Sequence, residues 1–319
     1  MISILKKGDN MFLDTFIENS SECIDLADLE LEYAVSLEAA YNDAMLEVCQ
    51  LKYQSLVEGV YIANEGVIDS IKNFFGKLFD SNEKFFDNVN DEDSRKKLDN
   101  LKKQSKDRYI AEGISYMLKH PKLAKQYKLI GYDTIFIGGV DIDACACTAF
   151  NRAINKIIKD GPNVNGDDVS LNALRTFIIC AFGDTNKIKV NKINSLSDYR
   201  KALYSHVQYV PMNELYKNGY NGSDSDAQRW LDKMSQKSSY ANDYRKSFEE
   251  NMKIYEKKTI EIIAKKCPNH IGIAYKAVNT VNQASIITIT YGQWLNVETV
   301  KLWTNFYTAA KNIGSKIDK

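Results

Sequence analysis

The residues of this 319-residue chain whose types and spacing could support chemistry are few, and most lie between positions 138 and 147. Asp141-Ile142-Asp143 sets two carboxylates two positions apart. On an extended segment both would face one way and could share a divalent cation, as a DxD motif does in a nucleotide-sugar enzyme. At the start of a helix the same carboxylates would only complement the positive end of the helix dipole. Cys145-x-Cys147 is too tight to form half of a zinc site alone, and no second Cys or His pair stands at a familiar spacing. Gly138-Gly139 lacks the remaining glycines of a dinucleotide loop, and no GxxxxGK[ST] run occurs. His120, His206 and His270 are isolated from one another, and no GxSxG elbow is present. A triad assembled in space stays open, because sequence proximity is not required for one. Asn221–Asp226 is acidic and turn-like but lacks the calcium-loop register. These patterns predict a protein that is not an enzyme and has no cofactor or metal site. An unrecognised site near Asp141 and Asp143 is the enzymatic alternative.

A different kind of candidate lies in residues 67–89. Val67, Ile71, Phe74, Phe75 and Leu78 recur at helical spacing, with Phe79, Phe85 and Val89 extending the apolar face. Lys72, Lys77 and Lys84 fall mostly outside it. Val67, Ile71, Phe74, Phe75, Leu78 and Phe79 are therefore predicted to form an interaction surface. Its partner is either protein, meaning a domain core or another chain, or a membrane interface. Asp69, Asp80, Glu83 and Asp87 lower the attraction to anionic lipid, which makes membrane contact the secondary reading.

The elements that must position these residues follow from apolar periodicity and end signals. Residues 1–24 read as an irregular leader. Ala34, Leu37, Tyr41, Ala44, Val48 and Leu51 share one helix face within an N-terminal helical region, 25–126. The very polar 91–104 reads as a solvated helix or a linker, with Asn90 as a candidate cap, and 107–119 forms another helix that ends at His120-Pro121. A mixed α+β region spans 127–222. Its strand candidates are Leu129–Gly139, rich in β-branched and aromatic residues, and Ile188–Ile193, which alternates apolar and polar residues. Its helices run from Asp143 to Lys159, from an Asp168 cap to Gly183, and from the Ser195 capping box to Tyr204. Asn218–Ser223 is turn chemistry and marks the main boundary. Residues 223–319 are expected to form a helical hairpin around Pro268, starting from a Ser223/Asp226 capping box, with i,i+4 pairs at Glu249–Lys253 and Glu261–Lys265. Ile286–Thr290 has strand-like residues, yet Ala277, Val281 and Ala284 favour helix there. The fold class is thus mainly α, with long amphipathic helices at both ends and a small mixed α+β middle.

Composition narrows the function classes. Lys+Arg and Asp+Glu both number 42, so the chain lacks the basic excess of a general nucleic-acid binder. The six cysteines are scattered, which fits free thiols in a reducing compartment rather than a disulfide framework. Met1–Asn10 has two lysines but no apolar core of a signal peptide, and no uncharged apolar run reaches the ~18 residues of a membrane span. A soluble, non-secreted protein is expected.

Leu31–Glu47, a Glu/Ala/Tyr-rich helical run, is followed by the amphipathic run Gly66–Phe75. Together they resemble virion structural proteins, of the internal head or core type, from large tailed phages that infect low-GC Gram-positive bacteria. The Tyr/Lys-rich stripe of Tyr240–Lys266 is similar to theirs as well, whereas Tyr127–Tyr220 matches nothing in them. The resemblance implies a location in the virion, and in the host cytoplasm during assembly. It implies partners that are other virion proteins or further copies of the chain, and no specific nucleic acid. It carries over no catalytic residue. A membrane-active, ejected or pore-forming helical protein using residues 67–89 is the alternative.

Overall fold

The computed structural model describes residues 28–51, 64–89, 91–131, 133–183, 188–217, 240–264 and 267–317, with residues 26, 53 and 231 beside them. The fold is mainly α, with one two-stranded sheet among the described residues. The helices, in order, are α1 (28–51), α2 (Asn64–Asn88), α3 (Glu92–Gln104), α4 (Arg108–Lys119), the single turn α5 (Pro121–Ala124), α6 (Ile142–Asp160), α7 (Gly166–Phe182), α8 (Leu196–Ser205), α9 (Met212–Lys217), α10 (Arg245–Lys258) and α11 (Ile271–Ile317). Strands β1 (Lys128–Ile130) and β2 (Tyr209–Pro211) pair antiparallel, with Leu129 opposite Val210.

Helix α11 organises the molecule. Its 47 residues contain no proline, so nothing removes a backbone donor along a length of about 70 Å. Residues 284–293 are buried on every side, which is why the stretch lacks a clean amphipathic stripe. Several of its hydroxyls bond to the preceding turn, while Thr290 Oγ1 is buried without a partner among the described residues. Ser285 donates to the Val281 carbonyl, Thr288 to Ala284 and Thr299 to Leu295. That local bonding lets strand-like residues stay helical. Helices α3, α4, α6, α7 and α8 all pack on α11. Its crossing with α4 is close enough that a Cβ on Gly113 would overlap the Ala310 carbonyl, and one on Gly314 the Tyr109 carbonyl.

Several end signals act as the sequence predicts. Ser195 Oγ accepts from Asp198 N; Asp107, read from sequence only as the first residue of its helix, caps α4 by accepting from Tyr109 N. Gly183, with φ +71°, stops α7. Others differ. Asn165, not Asp168, caps α7. Of the Leu129–Gly139 strand candidate only Leu129 and Ile130 pair; Gly131 bonds the Gln208 carbonyl and the chain then turns, burying Ile135 and Ile137 without a ladder. Ile188–Ile193 is no strand. Val190–Lys192 forms a 3-10 turn, held to α7 by Arg175, whose guanidinium donates to the Ile193 and Asn191 carbonyls and to Asn194 Oδ1. Of the helices expected to form a hairpin around Pro268, α10 packs against α2 and α6. Glu249 pairs with Arg245 rather than with Lys253, and Glu261 with Lys257. The leader, Asn90, the Asn218–Ser223 boundary, the Ser223/Asp226 capping box and Lys265 lie outside the described residues. One apolar core joins Tyr33, Phe74, Phe150, Phe177, Tyr255 and Tyr291, so residues from all three larger regions share it.

Candidate functional site

Asp141 and Asp143 sit where α6 begins. Asp141 is the N-cap residue, and its Oδ1 accepts from Ala144 N at 2.9 Å. Asp143, one turn into the dipole, accepts from Asn251 Nδ2 at 3.2 Å. Burial pushes the Asp143 carboxyl above the usual carboxylate range, partly offset by hydrogen bonds from Ser247 and Asn251. The contact continues along the α6–α10 seam. Cys147 Sγ donates to Asn251 Oδ1 at 3.0 Å, and Tyr255 OH donates to Cys147 Sγ at 3.8 Å. Lys258 Nζ donates to Asn151 Oδ1 at 2.6 Å. Asn251 thus serves Asp143 with its amide nitrogen and Cys147 with its oxygen. Asp141 closes the start of its own helix, and Asp143 and Cys147 fasten that helix to α10.

Cys145 faces the other way, toward Cys180, and burial pushes its thiol well up. A thiol held protonated is a poor nucleophile and a poor metal ligand. Among the described residues no group of three or more His, Cys, Asp or Glu side chains is placed to hold a metal ion. The three histidines are dispersed. His120 stacks on Tyr116 and bonds its carbonyl through Nδ1, His206 bonds the Ala202 carbonyl, and His270 lies in the turn before α11.

The predicted interaction surface is internal in this structure. Val67, Ile71, Phe74, Phe75 and Leu78 are buried, and Phe79 is half-buried. Phe74 stacks on Tyr275 of α11 at 4.2 Å, and Ser70 Oγ meets Tyr275 OH at 3.2 Å. Phe86 meets Phe248 of α10 edge-on, and Phe85 meets Tyr33 of α1. The periodicity identified a buried face correctly as apolar. It could not identify the partner, which is the chain itself. No helix among the described residues is long and apolar enough to cross a membrane.

A cleft of about 190 Å³ between α1 and α2 is lined by Tyr33, Ser36, Ser81, Lys84, Phe85 and Asn88, among others. It is smaller than the ~300–1,000 Å³ of typical small-molecule sites. Beneath it, Tyr33 OH donates to Asn82 Oδ1, and Asn282 Nδ2 donates to Tyr33 OH at 2.5 Å. This buried triad ties α1, α2 and α11 together.

Sequence reasoning missed a second face on α1. Tyr33, Leu37, Ala40, Ala44 and Val48 point inward. Leu31 (63% exposed), Val35 (60%), Leu46 (59%) and Tyr53 (68%) lie on the opposite side, in solvent. The signal was available, because these residues fall about half a turn from the inner stripe at 100° per residue. The chain matches no protein-family model, no curated protein and no solved structure.

Proposed function

We propose that the chain is a structural component of a phage particle, working through helix-mediated contacts with itself or with other virion proteins. The observation that carries this reading is the use made of the chemistry-bearing side chains. Asp141, Asp143, Asn251, Cys147 and Tyr255 are joined helix to helix, as cap and seam. They serve a framework built on one helix about 70 Å long. The likeness of Leu31–Glu47 and Gly66–Phe75 to virion proteins supplies the class of assembly. In this proposal the chain is made in the host cytoplasm and ends in the virion. The test is co-purification: the chain should sediment with intact particles through a density gradient and resist nuclease and salt washing. Its recovery only in the unassembled fractions overturns the reading.

A further inference from the structure

Two exposed faces remain that neither the core nor the seam uses, and they are complementary. The first is the outer stripe of α1. Leu31, Val35 and Leu46 project into solvent along about 22 Å of α1, with exposed Ala39 and Asn42 between them, and Tyr53 is exposed beyond its end. Asp28, Glu32 and Glu38, all exposed, lie on or beside the stripe. An exposed apolar stripe of this length is a mark of an interaction surface. Its rim is acidic, so a second copy of the same stripe would meet like charge.

The second face is on α4 and the turns after it. Tyr109 and Tyr116 are both exposed and seven residues apart, which puts them on one side of α4, and His120 stacks on Tyr116. Lys119, Lys122, Lys125 and Lys128 follow at intervals of three, all exposed, and they join no ion pair among the described residues. This face is aromatic with a basic rim.

The two faces lie at different ends of α11. Tyr33 of α1 bonds Asn282, and a Cβ on Gly272 would touch Met45. Gly113 of α4 lies against Ala310, and Tyr109 against Gly314. From Asn282 to Ala310 is 28 residues, or about 42 Å along the helix. The faces cannot meet within one molecule, whereas two molecules can bring them together.

We infer that the acidic, apolar outer stripe of α1 in one copy docks on the basic, aromatic ridge of α4 in a second copy. This contact rests on the reading of the chain as an assembly component and names the two surfaces that component would use. It is heterologous, since the surfaces differ. It therefore propagates from copy to copy unless geometry closes it.

Sedimentation of the purified full chain tests it. Wild type should form concentration-dependent species larger than a monomer, and high salt should weaken them on the order of tenfold, because charges at the rim are screened. One variant carries Val35→Lys and Leu46→Lys. Another carries Lys119→Glu, Lys122→Glu and Lys125→Glu. All five positions are exposed, and circular dichroism should give wild-type helicity for both. Each variant alone should be monomeric. An equal mixture should form a one-to-one pair, because each supplies the face the other lacks. A monomeric wild type at every concentration overturns the contact, including the case in which residues 1–25 of the same chain cover the stripe. So does an oligomer lost in the α1 variant but untouched in the lysine variant, which indicates a stripe-to-stripe contact. A monomer whose lysine ridge retards DNA fragments also overturns it, in favour of a polyanion site. Particle co-purification is independent of all three results, so failure of this contact is distinguishable from failure of the virion reading.

Discussion

Replacing Gly113 by alanine should destabilise the protein, although the same change in an ordinary helix stabilises it. Alanine gains about 1 kcal/mol over glycine in a helix interior. Against that stands the crossing of α4 and α11. The new methyl would overlap the Ala310 carbonyl oxygen, which belongs to the backbone and cannot swing aside. To restore ordinary contact the helices must part by more than about 1 Å. That loosens the packing around Ile114, Met117, Trp303 and Phe306, which share one core cluster. Overpacking of this kind costs typically about 1–3 kcal/mol, and more where the obstacle is rigid. The net loss should be about 1–2 kcal/mol. Gly314→Ala, facing the Tyr109 carbonyl one turn away, should cost a similar amount. The double variant should lose less than the sum, because helices already parted by the first methyl accommodate the second. Urea unfolding followed by circular dichroism and tryptophan emission reads this directly as a lower midpoint at unchanged slope. If Gly113→Ala unfolds at the wild-type midpoint or above it, helix propensity has won and the close crossing is not real.

Three further outcomes follow from named contacts. Asn282→Ala leaves Tyr33 and Asn82 buried with a lost partner, and should cost about 1–3 kcal/mol in urea unfolding; a change within error would show the triad to be idle. Glu30 is buried, with its Oε1 on Arg200 at 3.0 Å, and burial raises its carboxyl above the usual range more than Arg200 lowers it. The folded state therefore holds that proton more tightly than the unfolded state, so wild type should gain stability relative to Glu30→Gln as pH falls from neutral toward the ordinary glutamate range, and lose it as pH rises. A difference that is flat between neutral and mildly acidic pH would contradict the sign. Phe74 stacks on Tyr275 inside the core, so Phe74→Asp should cost about 3 kcal/mol or more and expose dye-binding surface, while the wild type leaves lipid vesicles intact. Vesicle leakage by wild type that is lost in a still-folded Phe74→Asp variant would reverse that assignment.

Much of the local structure was legible because it depends on neighbours in sequence. The Ser195 capping box, the Asp107 cap and the Gly183 stop all act within a few residues, and sequence spacing determines them. The apolar face of α2 was legible for the same reason. Its destination was not, since the stacking of Phe74 on Tyr275 joins residues two hundred positions apart. Ile188–Ile193 misled because alternation describes a half-buried segment in general. Here Arg175 takes its carbonyls, and no neighbouring strand does. Ile286–Thr290 looked ambiguous because a helix buried all round has no polar face to reveal its period. Asp141 and Asp143 were visible as a pair, and the cap was one of two readings offered. Their coupling to Asn251 and Cys147 required the position of α10. The outer face of α1 was hidden by its own inner stripe, because an apolar period at 100° per residue is satisfied by the inner residues alone.

Under the proposal, this chain is one of the structural parts of a particle. Mass spectrometry with isotope-labelled peptide standards, applied to gradient-purified virions, should then find a fixed ratio of this chain to the major capsid protein, constant across independent preparations and unchanged by nuclease and salt washing. Absence from the particles, or a ratio that falls toward zero with each purification step while the chain remains in the lysate, contradicts it.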